Sequence, residues 1–139
     1  SYPACALGNR LWWDVNHLVD AGGELPKGAP ETPMNKVLYE ISNKRLGLTT
    51  VVDSENRLLG IFTDGDLRRL IDKQQGFDVN LPVSEVMIQN PATISQEARA
   101  VQALEKLRDK KINQFVVVDD ANKVIGVISM HDLIQAGVN

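Results

Sequence analysis

The chain has one cysteine, Cys5, and two histidines, His17 and His131. A single thiol excludes an intramolecular disulfide framework and a multi-cysteine metal site. Two isolated histidines do not make a metal centre. No apolar run approaches the roughly 18 residues of a membrane span, and no charged-then-apolar leader opens the chain. The net charge is -3 with both signs scattered, so there is no basic footprint for nucleic acid. Also missing are a legible nucleophile–base pair and a phosphate-binding glycine loop. What remains is an ordinary globular composition, 43% hydrophobic and 24% charged over 139 residues, long enough to bury a core without staples. These absences lead us to expect a cytoplasmic soluble module with a reduced thiol, no metal, and neither membrane nor nucleic-acid partner. The chain opens at Ser1 without an initiator methionine, and we read it as part of something longer.

The chain repeats itself. Displaced by 66 positions, the run from Val51 to Leu67 falls on the run from Val117 to Leu133. Seven of the seventeen positions are identical: Val51, Val52, Asp53, Asn56, Gly60, Asp66 and Leu67 with their partners. Chance gives about one, so the repeat is genuine. The same shift aligns two helical faces. Met34, Val37, Leu38 and Ile41 fall at i, i+3, i+4 and i+7, and they map onto Ala100, Ala103, Leu104 and Leu107.

Val- and Thr-rich runs predict strands at Leu48 to Asp53 and Phe115 to Asp119. Ser54-Glu55-Asn56 and Asp120-Ala121-Asn122 supply turn chemistry. Return strands follow at Leu58 to Phe62 and Val124 to Ile128, then helices from Asp64 to about Gln74 and from Met130 to Gln135. Each hairpin is apolar on both faces and needs covering on both. Lead-in segments precede the copies at Val15 to Val19 and Val83 to Met87. Residues 22–30, rich in Gly and Pro, read as loop. The organisation expected is a linker over 1–14, a first copy over 15–75, a linker over 76–82 and a second copy over 83–137.

The most informative residues lie where the return strand meets the last helix. Thr63 with Asp66, and Ser129 with Asp132, have the spacing of a helix capping box. As caps alone they stabilise each helix by about 1 kcal/mol. A helix start at a strand end also suits a phosphate, and an acid one turn in suits a ribose diol. Gly60 and Gly126 are read as letting a ligand approach the backbone. Spacing alone does not choose between cap and nucleotide site. Arg68 and Arg69 offer fork donors to a phosphate, or stand as exposed helix charges. His131 is a candidate partner for a phosphate or carboxylate, or a surface histidine. Its counterpart is Gly65, so the copies are not equivalent, and the site containing Asp132 is expected to dominate. Arg108 to Lys111 read as a cation cluster favoured by the helix dipole. His17 reads as structural, and adjacent Trp12 and Trp13 read as packing a linker.

The doubled Gly-x-x-Thr/Ser-x-x-Asp pattern resembles the CBS domain over about residues 15 to 137. That resemblance implies an α/β (α+β) fold of two βαββα repeats packed face to face with pseudo-two-fold symmetry. It further implies nucleotide binding between the repeats, with Asp66 and Asp132 on ribose and Thr63 and Ser129 near phosphate. A narrower resemblance rests on the run from Gly60 to Arg69, on Met130-His131-Asp132-Leu133 and on Ala6-Leu7-Gly8. These are similar to the C-terminal part of bacterial arabinose 5-phosphate isomerases, enzymes of Kdo biosynthesis whose N-terminal sugar isomerase (SIS) domain does the chemistry. The resemblance implies a regulatory role toward that domain, no required cofactor, and AMP, ATP or CMP-Kdo as candidate ligands. A homodimer or higher oligomer is implied as well. That family's junction reads Ser-His-Pro-Gly-Gly, whereas this chain has Ser1-Tyr2-Pro3-Ala4-Cys5. Tyr2 is given no catalytic role. The alternative to sensing is a structural module whose motifs are only caps.

Overall fold

The computed structural model describes residues 13–19, 25–44, 47–74 and 78–138. The described elements run in order as a 3-10 turn (Val15–His17), β1 (Lys27–Gly28), α1 (Met34–Lys44), β2 (Leu48–Val52), β3 (Leu58–Thr63) and α2 (Asp64–Gln74). A second 3-10 turn (Val83–Glu85) leads to β4 (Ile88–Gln89), β5 (Thr93–Ser95), α3 (Ala100–Lys110), β6 (Gln114–Val118), β7 (Val124–Ser129) and α4 (Met130–Gln135). This is a mixed α/β fold with two sheets and four helices, each copy running β-α-β-β-α. Within the described residues, no helix is long and apolar enough to cross a membrane.

The two hairpins have the same backbone wiring. β2 pairs antiparallel with β3 from Leu48↔Thr63 to Val52↔Leu58, with a register shift at Val51/Val52. β6 pairs with β7 from Gln114↔Ser129 to Val118↔Val124, with the shift at Val117/Val118. Asn56 and Asn122 take the left-handed conformation, φ 67 and 63, at the two turns, a region asparagine tolerates better than most residues. In each turn an aspartate accepts two backbone N–H groups. Asp53 Oδ1 takes those of Glu55 and Arg57 at 2.9 Å, and Asp119 Oδ1 takes those of Ala121 and Lys123 at 2.9 Å.

Residues 22–30 are not all loop. Lys27 and Gly28 form β1, parallel to β2, as β5 is parallel to β6. In each copy the helix is the crossover that parallel neighbours require.

The compact units do not follow the boundaries of the sequence repeat. One comprises residues 24–91, the other 1–23 together with 92–139. The division at 15–75 and 83–137 describes the sequence repeat, whereas each unit takes the lead-in of the other copy. In the first unit Val83 N–H donates to the Thr32 carbonyl, Ser84 N–H to Pro30, and Met34 N–H to Leu81 at 2.8–3.0 Å. In the second, Val15 N–H donates to Ala98, Asn16 N–H to Gln96, and Ala100 N–H to Trp13 at 2.6–3.1 Å. The residue two before each lead-in, Leu81 or Trp13, thus supplies a carbonyl to the first N–H of a helix, one of the four groups a helix start leaves without an internal partner. Trp13 and Asp14 accordingly belong to a folded unit, not to a free linker; residues 1–12, with Tyr2, Cys5 and Trp12, lie outside the described residues.

The helical faces read from the sequence are the buried ones. Met34, Val37 and Ile41 of α1 pack with Val51, Phe62 and Val83, and Leu38 is half-buried beside them. Ala100, Ala103, Leu104 and Leu107 of α3 pack with Val15, Val19, Ile94, Phe115, Val117, Ile128, Leu133 and Val138.

Candidate functional site

Both predicted capping boxes form. Thr63 N–H donates to Asp66 Oδ2 at 3.0 Å, and Asp66 N–H donates to Thr63 Oγ1 at 3.1 Å. Ser129 N–H donates to Asp132 Oδ2 at 3.2 Å, and Asp132 N–H donates to Ser129 Oγ at 3.0 Å. Each helix is also tied to the residue just ahead of its hairpin's first strand. Asp64 N–H donates to Gly47 carbonyl at 2.9 Å, Met130 N–H to Asn113 carbonyl at 2.8 Å. The register sets the last residue of each return strand, Thr63 or Ser129, opposite the first of its partner strand. The hydroxyl and the acid therefore sit at a fixed sheet end.

The acids differ in their second oxygen. Arg69 Nη2 donates to Asp66 Oδ1 at 2.6 Å, and the Asp66 side chain is only 11% exposed against 64% for Arg69. Asp132 is exposed, and among the described residues no lysine or arginine pairs with its Oδ1. The position matching Arg69 is Gln135. Arg68 is exposed on α2, and His131 is exposed in the first turn of α4. The Arg69 contact was within reach of sequence reasoning, since an Asp and an Arg at i, i+3 meet on a helix.

Gly60 and Gly126 have a packing reason to be glycine. Both are buried, and the chain itself fills the space above them. A Cβ on Gly60 would stand 2.6 Å from the Ile88 carbonyl oxygen and 2.7 Å from Met87 Sδ. One on Gly126 would stand 2.5 Å from Val19 Cγ1. What stands against the α-carbons is a neighbouring segment of the same unit, Met87 and Ile88 at Gly60 and Val19 at Gly126.

The remaining candidates are placed more simply. Lys111 caps α3 in the left-handed conformation at φ 56, with Arg108 and Lys110 in the last turn, as the dipole reading expects. His17 falls in the first 3-10 turn; its side chain lies outside the described atoms. A concavity of about 520 Å³ lined by Lys27 to Glu31 and Val52 to Ser54 opens at the turn end of β2, away from Thr63. The acid there, Asp53, is engaged by its own turn and by Arg57.

Known proteins agree with this geometry. Arabinose 5-phosphate isomerase KdsD of Francisella tularensis is 42% identical over 97% of this chain and 41% of its own length. The chain thus spans about two fifths of the curated relatives it matches. CBS domain protein PAE2072 of Pyrobaculum aerophilum, solved with AMP, superposes with a TM-score of 0.75 at 21% identity, covering 86% of this chain and 88% of that one. The CBS domain of a bacterial CNNM/CorC family Mg2+ transporter, solved with ATP, superposes at 0.77 with 17% identity, covering 98% and 96%. At such identities the likeness is one of fold. The CBS domain family itself matches residues 29–73 and 83–139, taking in both hairpins and both capped helices, so the chain belongs to the CBS domain family and carries a pair of these domains.

Proposed function

We propose that the chain is a sensing module that binds a ribose-bearing nucleotide or nucleotide-sugar and adjusts an arabinose 5-phosphate isomerase of which it forms part. The observation that carries this reading is the open Oδ1 of Asp132, beside a hydroxyl, at the start of a helix that ends a sheet. A ribose diol donates to a carboxylate, and this one has an oxygen outside the cap to receive it. His131, one residue away and exposed, is the proposed partner of a phosphate or carboxylate, with Ser129 beside it in the same motif. Thr63, Asp66 and Arg68 are the corresponding groups of the first copy. The proposed parent activity draws on the likeness to arabinose 5-phosphate isomerases, and the candidate ligands are AMP, ATP and CMP-Kdo. Binding rather than catalysis is the role assigned to this stretch. Coupling of the usual size, about 1–3 kcal/mol, changes a partner's affinity about 5- to 150-fold.

Calorimetric titration with the three ligands tests the reading: heat is expected from at least one, lost in Asp132→Ala. Silence from all three at millimolar concentration overturns it. A second reading has its own observation, because both caps are complete without any ligand. On that account Asp132→Ala lowers stability by about 1 kcal/mol and alters no ligand response.

A further inference from the structure

We infer that Arg69 is a specificity-determining residue that holds the first copy's acid closed and leaves the second copy as the tighter ligand site. The inference rests on the sensing role proposed above and concerns how that role is divided between the copies. In the first copy both Asp66 oxygens have donors: Oδ2 takes the Thr63 N–H, and Oδ1 takes Arg69 Nη2 at 2.6 Å. Oδ2 already serves the helix start, so a diol that takes Oδ1 as an acceptor must displace Arg69 or share that oxygen with it.

The neighbouring residues allow this arrangement in one copy only. A Cβ on Gly65 would meet both terminal nitrogens of Arg69 at 3.5 Å and Thr63 Oγ1 at 3.7 Å. The guanidinium therefore lies against Gly65, over the first turn of α2. At the matching positions the second copy has His131 for Gly65 and Gln135 for Arg69. A neutral amide there brings no charge to Asp132, and His131 carries a side chain at the position where Gly65 leaves room for the Arg69 guanidinium. The Arg69–Asp66 pair joins a largely covered carboxylate to an exposed guanidinium. Its displacement therefore costs more than a fully exposed pair and less than a buried one. A moderate handicap for the first copy follows, roughly three- to tenfold in affinity.

Titration with AMP and with CMP-Kdo, in variants that isolate each acid, provides the test. Asp66→Asn is expected to keep the dominant site of the unaltered chain, and Asp132→Asn to lose it. Adding Arg69→Gln to Asp132→Asn is expected to tighten binding roughly three- to tenfold, or to bring it into measurable range. The exposed position of Arg69 makes this change mild for folding. A dissociation constant that is unchanged or weaker in the double variant overturns the assignment of Arg69 alone, as does loss of the dominant site in Asp66→Asn. No heat from either ligand, nor from ATP, in the unaltered chain or any variant overturns the sensing role and this division with it.

Discussion

The two copies share a hydrogen-bonded frame and differ in what it holds. Hairpin register, left-handed turn asparagine, aspartate-closed turn, lead-in crossing and helix cap recur position for position. The contents diverge. Where the second copy buries Phe115 and Val116, the first buries Thr49 and Thr50, and Thr50 Oγ1 donates to the Pro26 carbonyl at 2.8 Å. That bond is what permits a buried hydroxyl, which unpaired would cost more than the methyl group gains. Around the acids the divergence is Arg69 against Gln135 and Gly65 against His131. A backbone frame defined by main-chain bonds tolerates exchange of side chains that make none of those bonds, so the copies were free to become chemically unequal.

The largest predicted asymmetry lies at the two strand glycines. Gly60→Ala places a methyl 2.6 Å from a backbone carbonyl and 2.7 Å from a sulfur, whereas Gly126→Ala meets one methyl of Val19, with its next neighbour at 3.8 Å. Overpacking costs about 1–3 kcal/mol. Gly60→Ala is expected near the upper end, because the carbonyl cannot move without β4, and Gly126→Ala near the lower. Urea unfolding of the two variants measures the gap. Equal losses would mean that both lead-ins yield alike and that the copies match here after all.

These glycines also mark where sequence reasoning stops. The repeat, both hairpins, the buried faces of α1 and α3 and both capping boxes were legible, because each is a local pattern: period, turn residue or fixed spacing. β1, β4 and β5, of two or three residues each, carry too little periodicity to stand out, and Lys27-Gly28 lies among turn formers. The crossing of Val15 to Val19 and Val83 to Met87 into each other's units is a long-range choice that no local pattern announces. The one trace it leaves is the need for no side chain at Gly60 and Gly126, which is equally the trace a ligand would leave. At the candidate site, the hydroxyls and acids were legible from spacing. The inequality of the acids depended on where one exposed guanidinium rests.

The caps offer a middle-sized comparison. Thr63→Ala and Ser129→Ala each remove one acceptor for a backbone N–H at 3.0–3.1 Å, and each is expected to cost about 1 kcal/mol. Near-equal losses in thermal or urea unfolding would support equivalence of the frame. A Thr63→Ala loss well above that of Ser129→Ala would mean that the Arg69–Asp66 pair depends on the cap.

The smallest expected difference lies at the hairpin turns and is set by pH. Asp53 Oδ2 accepts from Arg57 Nε at 3.0 Å, in addition to the two turn N–H groups on Oδ1. The Arg57 backbone N–H foremost holds the Asp53 carboxyl below its ordinary 3.8; desolvation, second in size, opposes it, and the Glu55 N–H and the Arg57 guanidinium add to the lowering. A carboxyl with a depressed folded value binds its proton more readily when the chain is unfolded. Its contribution to stability is therefore complete above 3.8 and fades as pH falls through the lower folded value. Asp53→Asn should then melt below the unaltered chain near neutrality, by a margin that closes as the solution is acidified past 3.8. Added salt should trim the Arg57 part of the margin at any pH and leave the two N–H bonds as the remainder. A margin that stays constant from neutral to strongly acid solution would show that the charge of Asp53 does nothing for the turn, and that the amide of asparagine fails there for reasons of shape.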